Sequence, residues 1–132
     1  MAVFSSPAEA AAFFQDDRFA TEMGITIESL SETSCTCKLE VTEHHRNAVG
    51  GVMGGAIFTL ADFAFSVHCN NLHKPTVGQN NTIHYVSGAK GNTLYATTKC
   101  LKDGRTTGVY EVEVTDDTGR LLAVMTATGF KL

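Results

Sequence analysis

The chain of 132 residues has no clustered run of lysine or arginine, no Cys-x-x-Cys pair and no uncharged apolar stretch long enough to cross a bilayer. The first absence, with a formal net charge of −4, argues against nucleic acid or an anionic membrane surface as a partner and leaves a small molecule as the expected one. The second removes zinc-site spacing, so Cys35, Cys37, Cys69 and Cys100 read as free thiols rather than metal ligands. As to the third, the most apolar run, about Val52 to Val67, is interrupted by Asp62 and falls short of the roughly 20 residues a membrane span needs, which predicts a buried helix. The start, Met1-Ala2-Val3-Phe4-Ser5-Ser6, lacks the basic and apolar segments of a secretory signal, and a cytoplasmic location is expected. There is no internal repeat, low-complexity tract or linker. With 43% apolar and 18% charged residues, 1–132 is expected to form one domain around one core.

Ser6-Pro7-Ala8-Glu9 has the form of a capping box with proline at the first helical position, predicting a helix from there towards Phe19. Ile25 to Val41 alternates in period two around a polar break at Ser31-Glu32-Thr33, the pattern of a hairpin; Cys35 and Cys37 then face the same side as Leu39 and Val41, as small core residues. The glycine-rich stretch Gly50 to Gly55 opens the apolar helix, expected to run to about Cys69. Strands are predicted over Gln79–Val86, Thr93–Leu101, Gly108–Thr115 and Leu121–Phe130, separated by segments rich in Gly, Asn and Asp. This order predicts an α+β fold with helices on one face of an antiparallel sheet. A long helix apolar nearly all round needs covering by that sheet and by a second subunit, so a homodimer is expected.

Asp62 is an expensive residue in such a helix, because burying an ionised carboxylate costs several kcal/mol unless it is paired. Thr59, Asp62, Ser66 and Asn70 follow spacings of three and four and form a narrow polar stripe. The stripe has two readings, a hydrogen-bonded seam between subunits or part of a reactive site. Gly54 and Gly55, at the helix start, likewise serve either close packing or an oxyanion site made of free N–H groups at the positive end of the helix dipole. A carboxylate two turns from such a pocket suits attack on an activated acyl group, by water or by the carboxylate itself. His68 and His84 have no partners at metal-ligand spacing, and no metal is expected.

The set His45-x-Asn47-x-x-Gly50, Gly54-Gly55 and Asp62, with Gly104-Arg105 before a late strand, resembles the hot-dog-fold acyl-CoA thioesterases of the phenylacetic-acid-degradation (PaaI-like) type over nearly the whole chain. The resemblance implies a long central helix wrapped by a curved antiparallel sheet, a short N-terminal helix, edge-to-edge dimers that pair again into tetramers, and active sites at the dimer interface. It implies that Asn47 and the Gly54 amide of one subunit polarise the thioester carbonyl, with Asp62 of the facing subunit as general base or nucleophile. His45, Met53, Gly55, Thr59, Ser66, Asn81 and Arg105 are the expected substrate contacts. Asn81 or Thr82 stands near the place of the residue that meets the attacking water, and Arg105 resembles a coenzyme A phosphate contact, though it also fits a hairpin-tip charge. No cofactor is implied, coenzyme A being part of the substrate. The family usually carries histidine where this chain has Met53, which can neither donate a strong hydrogen bond nor carry charge. That departure keeps open a non-catalytic acyl-CoA binding or sensing module; a hot-dog hydratase fits less well, lacking the expected Asp-to-His spacing. Phe58, Phe63, Phe65 and Tyr85 are the residues expected to set pocket depth.

Overall fold

The computed structural model describes all 132 residues. Its elements are α1 (Pro7–Phe14), α2 (Arg18–Glu22), β1 (Thr26–Leu30), β2 (Cys35–Glu40), a 3₁₀ turn (Glu43–His45), α3 (Gly54–Leu72), β3 (Thr76–Tyr85), β4 (Thr93–Asp103), β5 (Thr107–Asp116) and β6 (Leu121–Lys131). The strands form one curved antiparallel sheet, ordered β1-β2-β4-β5-β6-β3, wrapped around α3 in the hot-dog arrangement. No helix is long and apolar enough to cross a membrane.

The predicted helix over residues 7–19 is two helices. Ser6 caps α1 as expected, its hydroxyl accepting the Glu9 N–H, but the Glu9 carboxylate reaches the backbone and hydroxyl of Ser5 instead of returning to Ser6. The break falls at Gln15-Asp16-Asp17, where two carboxylates oppose the negative end of the α1 dipole. Phe14 turns inward and meets Phe63 of α3 edge-on at 5.6 Å, so the N-terminal segment covers one side of the central helix. Phe19 on α2 stays 79% exposed.

Three residues longer than expected, α3 ends at Leu72. Asn70, the fourth member of the polar stripe, closes the turn that follows: its oxygen accepts the Thr76 N–H at 2.9 Å and its amide donates to the Thr76 carbonyl at 3.1 Å. β3 accordingly begins at Thr76 rather than Gln79. It crosses to the far edge of the sheet, beside β6, with a register shift between Gly78 and Asn80. Beyond that bulge, Asn81, Ile83 and Tyr85 pair with the inward-facing Ala127, Met125 and Ala123, so these three face α3 and Thr82 does not. Cys35, Cys37 and Leu39 are buried together, as the alternation of β2 predicts.

His68, buried on α3, donates from Nε2 to the Glu32 carbonyl at 3.0 Å and accepts at Nδ1 from the Thr98 hydroxyl at 2.7 Å, an arrangement complete with a neutral ring. Burial pushes its pKa below the ordinary 6.5, against smaller opposing effects of the Glu32 carbonyl and Asp103. The unfolded chain therefore takes up this proton first as pH falls. His68 stabilises the fold fully above about pH 6.5, and that contribution drains away as pH drops towards its lowered folded-state value. Thermal melts between pH 7.5 and 5 should show a steeper loss for the native protein than for His68→Gln; equal slopes would remove His68 from the acid response.

Candidate active site

Gly54 and Gly55 form the first turn of α3 with no side-chain cap, and neither N–H has a partner within the chain. Two donors at the positive end of a 19-residue helix are thus left for a ligand. The approach loop is held from behind. Asn47 Oδ1 accepts the N–H groups of Val49 and Gly51 at 3.1 and 3.0 Å, closing a turn in which Gly50 has φ +88°, while the Asn47 amide nitrogen stays uncommitted. His45 is buried with both ring nitrogens engaged, Nδ1 accepting from the Thr42 N–H at 2.9 Å and Nε2 donating to the Met23 carbonyl at 2.8 Å. Its ring clamps the loop to the end of α2, and its backbone carbonyl holds the Met53 N–H at 2.8 Å.

Asp62 is half-buried on α3 and accepts at Oδ1 from the Asn81 amide at 3.1 Å. Burial raises its pKa above the usual carboxylate range; the Asn81 hydrogen bond pulls the other way and the charge of Asp17 adds to the rise. Asn81 Oδ1 is buried and has no partner, the single such side-chain atom in the chain.

Three adjoining hollows surround these groups. The largest, about 990 Å³, lies between α2, the 42–45 turn and the first turns of α3, walled by Phe19, Met23, Met53, Phe58 and Tyr85, with His45, Gly55 and Thr59 also on its lining. Phe19 and Thr59 continue into a second, about 290 Å³, bordered by Asp62, Phe63 and Ser66. On the other side of Tyr85 a third, about 350 Å³, reaches Gly54. Phe58 and Tyr85 therefore face open volume as expected, whereas Phe65 is core, edge-on to Tyr110 at 5.4 Å. The share of α2 in the largest hollow was not legible beforehand; the signal was Phe19 with Met23 four residues on, an apolar pair in helical register that both line it.

Within one chain the expected site residues do not all meet. Gly54 and Asp62 are eight residues apart on a helix, ~12 Å along its axis, too far to act on one carbonyl. Arg105 lies on the β4–β5 turn at the opposite end of the fold: Thr106 beside it accepts the Lys131 N–H, next to the end of α3 where His73 meets Leu132. No group of three or more His, Cys, Asp or Glu side chains is arranged to hold a metal ion.

A family profile described as Thioesterase superfamily matches residues 49–123. The acyl-coenzyme A thioesterase PaaI of Escherichia coli (strain K12) is 32% identical over 114 residues, which cover 86% of this chain and 81% of that protein. Acyl-coenzyme A thioesterase 13 of Homo sapiens is 34% identical over 103 residues, covering 75% and 74%. The solved structure of the E. coli PaaI protein matches with a TM-score of 0.87 at 29% identity, over 93% of this chain and 90% of that one. A hypothetical thioesterase from Streptococcus pneumoniae TIGR4, solved with coenzyme A, matches with a TM-score of 0.81 at 26% identity, over 89% and 94%.

Proposed function

The chain belongs to the thioesterase superfamily, and from that premise we propose that it hydrolyses acyl-coenzyme A thioesters to a carboxylic acid and free coenzyme A, residues 1–132 acting as one domain. The observation that carries this reading is Asp62: a half-buried carboxylate on an apolar helix, with one protein hydrogen-bond partner, two turns from a helix start with two free N–H groups. In the proposed site, Gly54 and the Asn47 amide of one subunit hold the thioester carbonyl and Asp62 of the facing subunit removes a proton from water. The resulting hydroxide adds to the carbonyl carbon, the oxyanion is held at the helix N-terminus, and collapse breaks the C–S bond, the thiolate leaving and taking up a proton. Direct attack by the carboxylate, through a mixed anhydride that water then opens, uses the same residues. No cofactor is required. A homodimer with shared sites is the arrangement supported by the ~12 Å between Gly54 and Asp62 in one chain, if both act on one carbonyl, and by the ten-residue edge strand β3, whose outer side has no partner. Dimers would pair again into tetramers, and Arg105 would contact coenzyme A phosphate only from another subunit.

Thiol release from short, long and aromatic acyl-CoA esters tests the activity. Met53, 55% exposed on the wall of the largest hollow, favours a second reading, a binding or sensing module without turnover. Tight ester binding with no thiol release would select it.

In this reading Asn81 sets the acidity of Asp62. Because the Asn81 hydrogen bond lowers a pKa that burial raises, Asn81→Ala should move the acid limb of kcat/KM to higher pH and reduce the plateau. An acid limb that stays put would detach Asn81 from Asp62.

A further inference from the structure

We propose that Tyr85 is a positioning residue for carbonyl activation, fixing and polarising the Gly54–Gly55 peptide so that the Gly55 N–H joins the Gly54 N–H in meeting the developing oxyanion. This rests on the thioesterase reading. The Tyr85 hydroxyl donates to the Gly54 carbonyl at 3.0 Å. In a trans peptide the Gly54 carbonyl and the Gly55 N–H belong to one planar unit and point in opposite directions. A donor on that oxygen draws electron density from the unit and makes the Gly55 N–H a stronger donor on the side that faces the hollow.

The contact is built from both sides. A Cβ on residue 54 would lie 3.3 Å from Tyr85 Cζ, so glycine lets the ring approach this closely. Tyr85 is 52% exposed and borders the hollows on both sides of Gly54, a place where ring burial explains little. Strand and helix are also matched in length. From Tyr85 to Asn81 is four strand residues, ~13 Å; from Gly54 to Asp62 is eight helical residues, ~12 Å. β3 runs antiparallel to α3 and holds a reacting group at each point: Tyr85 on the Gly54 carbonyl, Asn81 on the Asp62 carboxylate.

The test is Tyr85→Phe, which keeps the ring and removes the hydroxyl, assayed by thiol release from acyl-CoA beside the native protein. Losing a direct oxyanion donor costs about 10²–10³ in kcat, and loss of its support should cost about tenfold. KM and the acid-limb midpoint set by Asp62 should stay unchanged, and the melting temperature nearly so. In combination with Gly54→Ala, which pushes the ring away, the double variant should be no slower than the slower single one. Native kcat in Tyr85→Phe, a shifted acid limb, additive losses or a variant that fails to fold would each overturn the proposal. A native protein that releases no thiol overturns the thioesterase reading itself, whereas native turnover with an unaffected Tyr85→Phe overturns this inference alone.

Discussion

Asp62→Asn should lower kcat for acyl-CoA hydrolysis by about a thousandfold, within the range a positioned general base contributes, while leaving the fold and ester binding in place. The amide has nearly the shape of the carboxylate, and Asn81 can still meet its oxygen at the present 3.1 Å. What goes is the capacity to accept a proton or to attack. The same logic sets the pH response of the native protein. Asp62 must be ionised to act, and burial raises its pKa, so kcat/KM should fall on the acid side at a higher pH than an ordinary exposed aspartate would give. Thiol detection needs little correction for the protein itself, since three of its four cysteines are buried. Unchanged turnover in Asp62→Asn would sink the mechanism, whichever role the carboxylate is given.

The parts of the fold legible in the sequence are those written locally. The glycine pair announces the start of α3, alternation announces the β1–β2 hairpin, and Gly- and Asp-rich turns separate the last three strands. The stripe Thr59, Asp62, Ser66 needed only helical spacing, and Asp62 stood out because a carboxylate there demands a partner. The partner itself was not legible. Gly78-Gln79-Asn80-Asn81-Thr82 shows no clean alternation, since a bulge between Gly78 and Asn80 changes which residues face inward, and only the long-range pairing with β6 reveals that Asn81 turns to Asp62 and Thr82 away. The Tyr85 contact with Gly54 spans 31 residues and depends on that same register. The break between α1 and α2 carries neither glycine nor proline. Asp16-Asp17 at a helix C-terminus was its one local trace, and it decides where Phe19 stands beside the largest hollow.

Two inactive variants should restore activity to each other if the site is divided between subunits. Gly54→Pro removes one N–H at the first helical position, where proline's fixed φ is tolerated, and Met53 before it is already extended at φ −65°, ψ 137°. The added ring atoms press on Tyr85, which is half-exposed and can yield. Asp62→Asn removes the base. In a hybrid dimer one site combines the native helix start of the Asp62→Asn chain with the native Asp62 of the Gly54→Pro chain, and the other site carries both defects. Random assortment after unfolding and refolding an equimolar mixture makes about half of the dimers hybrids, each with one good site of two, so about a quarter of native activity should return. A site contained in one chain predicts no recovery at any mixing ratio. The ~12 Å between Gly54 and Asp62 along α3 requires the divided arrangement if both act on one carbonyl. Failure of complementation, with exchange of subunits verified, would mean that Gly54 and Asp62 do not serve the same thioester.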